Sequence, residues 1–355
     1  MTVERQIAFW LAVLAVLIAA LWLLSPVLMP FVAGIVLAYL LNPLAQRLER
    51  AGISRAVSGL VILGLVLATL VVLVLLIAPV LVNQFVALIE RIPGYVRRLQ
   101  ELIAESGHGW LQRVLGDRLP DAGKSVAEWM TQGAGWLASF FGSLWAGGQA
   151  LVSILSLLVV TPVVAFYVLC DWDRMVATVE SWVPRPQQET VRMLAREMDE
   201  AIAGFIRGQT GVCLILGAFY AVALALIGLN FGILIGFIAG ILSFIPFVGS
   251  LTGFILSGGV AFAQFWPDWI WIVAVLAVFF AGQLAEGYVL QPLLIGKRVG
   301  LHPVWLMFSL FAFGYLFGFV GVLMAVPVAA AIGVLLRFAL RRYRASALYG
   351  SGRAS

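Results

Sequence analysis

The chain has 355 residues, of which 63% are hydrophobic and 11% charged, and its formal net charge is +5. Soluble globular domains carry about 25% charged residues, so this composition cannot cover a water-soluble protein of this length. Cys170 and Cys213 lie in or beside apolar runs, which excludes a disulfide scaffold. No zinc-ligand spacing or phosphate-cradling glycine loop occurs. The positive excess sits largely in short loops and the C-terminal tail, where it marks topology rather than a nucleic-acid surface.

Asp, Glu, Lys and Arg are absent from 6–46, 56–89, 208–267 and 302–336. Each stretch holds at least one span of roughly 20 residues. The pattern predicts an all-α polytopic membrane protein, because an isolated apolar segment in lipid must satisfy its own backbone hydrogen bonds. No small-residue cleavage box follows the first apolar run, so residues 7–24 read as a retained first span. Ser25-Pro26 breaks it, and a second apolar segment follows over 27–44, interrupted by Pro30 and Pro43. Asn42-Pro43 reads either as a gate element or as a helix stop. The next loop carries Arg47, Glu49, Arg50 and Arg55 and is placed in the cytoplasm, with the N-terminus on the same side. A third span covers about 57–82.

Residues 83–150 form an insert, read as non-cytoplasmic, that opens with an amphipathic helix. Phe85, Leu88, Ile89, Ile92, Val96, Leu99 and Ile103 fall at helical spacing among charges of both signs. A fourth span over 151–169 ends at Asp171-Trp172-Asp173-Arg174, a charged amphipathic helix covers 187–207, and a fifth span covers 208–228. Residues 231–264 are punctuated by glycines and by Pro246, and read as either a kinked helix or a re-entrant hairpin. The tryptophans of Trp266-Pro267-Asp268-Trp269 suit the headgroup level. A span over 269–290 contains Gln283 and Glu286, and the last apolar stretch, 304–336, contains Gly314, Gly318, Gly321 and Pro327. If 231–264 returns to its side of entry, Lys297 and Arg298 become cytoplasmic, and 304–336 must also turn back to leave the arginine-rich tail there. This paired-hairpin arrangement is favoured over two kinked spans. The segmentation is 1–82, N-terminal spans; 83–150, the insert; 151–344, a C-terminal transport core; and 345–355, a flexible tail.

Glu286 is the sharpest candidate. A carboxylate near a span end, one turn after Gln283, is costly unless paired or wetted. It reads as a coupling or solute-contacting group, against an interfacial glutamate paired with Lys297 or Arg298. Pro246 and Gly249 could shape an unwound segment facing a solute, against a plain structural kink. Gly314 and Gly318 carry the same choice between a broken segment and close helix packing. Arg207 and Gln209 mark either the cytoplasmic boundary of a span or a vestibule. Asp171 and Asp173 are either partners of Arg207 in a cytoplasmic gate or a solvated cap. His302, before Pro303, reads mainly as a helix boundary. No cofactor is implied, beyond Na+ or H+ as a coupling ion, and no nucleophile–base pair points to an enzyme.

With these residues in place, the sequence resembles the autoinducer-2 exporter (AI-2E) family of permeases. The resemblance rests on Phe166-Tyr167-Val168-Leu169 leading to Asp171-Trp172-Asp173-Arg174, and on Phe205-Ile206-Arg207-Gly208-Gln209. It also rests on Ile245-Pro246-Phe247-Val248-Gly249, Glu286-Gly287-Tyr288-Val289-Leu290-Gln291-Pro292 and Gly300-Leu301-His302-Pro303. Gly318-Phe319-Val320-Gly321 through Ala325-Val326-Pro327 closes the pattern. Phe247 and Ser250 stand where the family pattern has tyrosine and proline. The resemblance implies an inner-membrane, multi-pass secondary transporter of about seven to eight membrane segments. It further implies export of a small polar solute such as a quorum-sensing signal, with sodium/proton antiport as the alternative, and a homo-oligomer in the bilayer. A channel-like or scaffolding membrane protein is the competing class.

Overall fold

The computed structural model describes residues 5, 9, 12–13, 16, 19–105, 148–246, 248–296 and 302–345. Most of the first predicted span, the middle of the insert, Phe247, Lys297, Arg298 and the tail from 346 lie outside the described residues. The regular elements described are all helical: α1 (Ser25–Arg50), α2 (Arg55–Glu105), α3 (Gly148–Ser181), α4 (Gln188–Ile227), α5 (Gly232–Leu242), α6 (Val248–Phe265), α7 (Trp269–Ala285), a π-helix (Glu286–Ile295) and α8 (Pro303–Arg344). Six helices among the described residues are long and apolar enough to cross a membrane, and α5 is a shorter apolar helix.

Several predicted boundaries dissolve into longer helices. Pro30 and Pro43 lie inside α1 instead of interrupting it. A proline inside a helix removes one backbone hydrogen bond, and neighbouring groups can re-satisfy the freed carbonyl. The third span and the amphipathic start of the insert are one helix, α2, of 51 residues, which runs on through Pro79 and Pro93. The charged 187–207 helix and the following span likewise form the 40-residue α4. Gly208 sits in its interior, where a Cβ would lie 2.6 Å from the Leu294 carbonyl oxygen. Leu75 and Leu76 of α2 are each 69% exposed, an orientation suited to lipid rather than water.

The chain forms two compact units. The first contains 1–66, 156–210 and 291–355. In it, α1 crosses α3 closely at Gly34, where a Cβ would stand 2.7 Å from Val164 Cβ and 2.9 Å from the Thr161 carbonyl. Thr161 Oγ1 donates to the Pro30 carbonyl at 3.1 Å. The start of α2 approaches α3 at Gly59, beside Cys170 Sγ, and α8 packs against α1. Small residues at such crossings let backbones approach, which drives association where lipid is as apolar as leucine. Within α8, Gly318 has φ 60° and ψ −139°, outside the helical region. A Cβ on Gly321 would overlap the Phe313 carbonyl, and one on Gly314 would meet Val322 at 2.9 Å. Residues eight apart in a straight helix are about 12 Å apart along the axis, so the two arms of α8 fold back on each other at Gly318.

The second unit contains 67–155 and 211–290. Its described helices form an antiparallel bundle. Gly232, Gly236 and Gly240 make one stripe of α5 and lie against Leu224, Ala221 and Gly217 of α4. Gly249 and Gly253 of α6 lie against Ser243 and Ala239, and Gly253 also meets Phe279 of α7. Gly282 brings α7 back onto Tyr220 of α4, and Tyr220 stacks on Phe279 with centroids 4.5 Å apart. The base of the α5–α6 pair is tied by Gln264, whose Nε2 donates to the Gly228 carbonyl at 2.8 Å and whose Oε1 accepts from Asn230 N–H at 2.8 Å. The N-terminus of α5 lacks a cap of its own, and Gln84 of α2 supplies it by accepting from Leu234 N–H at 2.9 Å.

Candidate functional site

The α4–α7 bundle fixes the surroundings of Glu286. The residue starts the π-helix directly after α7 and is 6% exposed. Gln283, one turn earlier, donates its amide to Glu286 Oε2 at 3.0 Å. The sequence pairing of these two residues is therefore realised as a contact. Cys213 and Tyr220, seven residues apart on α4, share a face of that helix, and both lie within the electrostatic reach of Glu286. Gly240 near the end of α5 lies 3.1 Å from the Cys213 carbonyl, by the position a Cβ would take. This brings the turn that contains Pro246 toward the same level of α4. Pro246 is half-buried in that turn, whereas Gly249 is buried, with its space filled by Ser243 and Ala239. Tyr220 is wholly buried, and its hydroxyl lies near Gln283 without an aligned hydrogen bond.

The remaining candidates belong to the first unit. Arg207 Nε donates to the Tyr39 carbonyl at 3.0 Å and does not pair with Asp171 or Asp173. Pro43, four residues after Tyr39, has no N–H to offer that carbonyl, which leaves it open to the arginine. Tyr39 also donates its hydroxyl to Asp199 Oδ1 at 2.8 Å and meets Trp172 edge-on at 5.9 Å. These side chains, with Asn42, line a cavity of about 40 Å³. That volume holds a few waters, and the hydrogen bonds around it tie α1 to α4. Asp171 is half-buried and Asp173 exposed on α3, Gln209 is 2% exposed, and Gly314 and Gly318 lie at the reversal of α8. His302 caps α8, accepting from Val304 N–H at 3.3 Å.

Sequence reading treated Arg55 only as a loop charge. It holds three elements together: Nε donates to the Leu169 carbonyl at 2.9 Å, Nη2 to Asn42 Oδ1 at 2.9 Å and Nη1 to Glu49 at 2.6 Å. Asn42 is thus an acceptor inside a continuing helix, and Asn42-Pro43 does not stop it. The fork geometry of the guanidinium suits this arrangement and a lysine ammonium does not. Arg55→Lys should cost about 2 kcal/mol, since a typical hydrogen bond contributes about 1 kcal/mol. Thermal unfolding in detergent checks it, and an unchanged midpoint rejects the clamp.

Apolar helices long enough to cross a bilayer, with lipid-suited outer faces, define a polytopic membrane protein. The profile of AI-2E family transporters matches residues 11–341, and the chain belongs to that family. It is 29% identical to the transport protein YrrI of Bacillus subtilis strain 168 over 327 residues, covering 90% of this chain and 89% of that one. It is 29% identical to the permease PerM of Escherichia coli K12 over 337 residues, covering 92% of each. To the AI-2 transport protein TqsA of Escherichia coli K12 it is 23% identical over 333 residues, covering 93% of this chain and 91% of the other. The function is secondary transport rather than catalysis. Among the described residues, no group of His, Cys, Asp and Glu is arranged to hold a metal.

Proposed function

We propose that the protein exports a small polar solute through a pathway in the α4–α7 bundle, with Glu286 as its polar contact and the turn around Pro246 beside it. The observation that carries this is the Glu286 carboxylate, 6% exposed and held by Gln283 at the end of an apolar span. An ionisable group at such a position is expensive and marks a pathway by default. TqsA, a relative over most of the chain, is named for AI-2 transport, which favours a polar signalling molecule as the solute.

The pathway reading goes with two re-entrant hairpins. The 11-residue α5 is about 16 Å long, half of a hydrocarbon core of about 30 Å. The Gln264 tie supports entry and exit of α5–α6 on one side. Gly208 abuts Leu294 before α8, and Arg341 at its end lies 3.7 Å from Glu197. Leu294, nine residues before α8, thus neighbours the end of the charged half of α4, and the C-terminal end of α8 neighbours Glu197 within it, which supports a second hairpin with the C-terminus in the cytoplasm. Cation/proton antiport at Glu286 is the second reading, favoured by the same buried carboxylate.

Flux through proteoliposomes tests both. Small polar signalling molecules are loaded in one arm, and sodium with a pH gradient is applied in the other. Saturable efflux of a signalling molecule above empty vesicles supports export. Sodium movement that follows the pH gradient supports antiport. No movement above empty vesicles in either arm rejects the pathway for those solutes.

A further inference from the structure

We propose that Glu286 and Tyr220 form a proton-binding pair, in which the tyrosine hydroxyl serves the ionised carboxylate and Gln283 orients it. The inference deepens the transport reading by naming the coupling ion.

Tyr220 is 0% exposed, and its hydroxyl is a buried side-chain oxygen without a hydrogen-bond partner. Buried polar groups in native proteins are normally satisfied, and an exception calls for an explanation. The ring is not there by default. A Cβ on Gly282 would overlap the Tyr220 hydroxyl and ring, so α7 has a glycine where the hydroxyl arrives. Gly282 is one helical turn before Glu286, on the same side of the helix. Gln283 already commits its amide nitrogen to Glu286 Oε2. The hydroxyl therefore arrives one helical turn from Glu286, a group whose need for a donor changes with its protonation. When Glu286 is ionised, Tyr220 O–H donates to the carboxylate. When the carboxylate takes up a proton to become the neutral acid, that need falls away and the hydroxyl is released. One proton is bound and one hydrogen bond exchanged, with no other reactant.

The surroundings favour a proton over a metal cation. Hard cations gather six or more oxygens. Here the described side chains named above bring the carboxylate, one phenol oxygen and an amide that presents its nitrogen. From α4 the titratable groups facing Glu286 are Tyr220 and Cys213. Residues 232–265, which contain α5 and α6, have no Asp, Glu, Lys, Arg, His, Cys or Tyr, and α7 has none either.

Infrared difference spectroscopy of the purified full-length protein, titrated with acid, reads this without any transport assay. The wild type should show a carboxyl C=O band missing from Glu286→Gln. In Tyr220→Phe its midpoint should move upward by about one pH unit, because the charged form loses a donor. The midpoint should be the same in sodium chloride and choline chloride. A wild type without the band, a Tyr220→Phe midpoint that stays put, or a midpoint that falls as sodium rises overturns the proposal. Should Tyr220→Phe not fold, the wild type carries a second readout. Its tyrosine C–O band must shift with the Glu286 band and stay still in Glu286→Gln, and a band that does not shift with Glu286 overturns the pair. A protein that titrates in this way but moves no solute leaves the pair standing and rejects the transport pathway.

Discussion

Glu286→Gln is expected to abolish coupled flux, by at least about tenfold relative to wild type, while leaving the fold intact. The substitution keeps the size and planarity of the side chain and removes only its ability to ionise. The Gln283 amide at 3.0 Å can still donate to the new amide oxygen. Burying a neutral amide avoids the desolvation cost of a buried carboxylate, so the thermal midpoint should hold or rise. A tenfold rate loss corresponds to about 1.4 kcal/mol, less than a charge-assisted hydrogen bond to a carboxylate can supply. Flux must be normalised to reconstituted, monodisperse protein. A variant that transports at the wild-type rate removes Glu286 from the pathway. One that fails to fold instead gives the residue a structural role that the 3.0 Å contact alone does not suggest.

Membrane embedding was legible because whole stretches lack charge, and charge-free length is a property of the sequence itself. Glu286 and Gln283 were legible for a related reason: polar residues in such a run stand out, and their spacing of three puts them on one helix face. Helix ends were harder to read. Arg207-Gly208 looked like a boundary because charge stops there, yet a helix does not end where its solvent changes. Gly208 is a packing contact for Leu294. Tyr220 left no signal of its own, since a tyrosine in an apolar helix reads as one more aromatic. Its importance comes from Gly282 and Glu286, more than 60 residues further along, and only folding brings them together. Arg55 was hidden in the same way. Its acceptors are Asn42, Glu49 and the backbone carbonyl of Leu169, and a backbone carbonyl has no sequence signature. The one local clue in that region was Pro43, which fixes which carbonyl of α1 is left open, here that of Tyr39.

The reversal of α8 makes the other large prediction. Gly321→Val should destabilise the protein by roughly 3 kcal/mol or more, because its Cβ would overlap a backbone carbonyl, that of Phe313, which no rotamer change can move. Gly318→Ala should cost about 1–3 kcal/mol, since φ 60° with ψ −139° is a conformation that only glycine adopts freely. The same chemistry elsewhere supplies the control. A Cβ added at Gly64 in α2 or at Gly259 in α6 would have nothing within 4 Å of it, so alanine at either site should stabilise by about 0.5–1 kcal/mol through helix propensity. A straight α8 makes the opposite forecast. Residues 313 and 321 would then be about 12 Å apart, and Gly321→Val would face lipid or open space with little effect. Thermal unfolding of the four variants in one detergent separates the two geometries. A Gly321→Val midpoint equal to that of wild type rules out the hairpin. A large loss confined to Gly318 and Gly321 fixes the turn at the glycine whose backbone leaves the helical region.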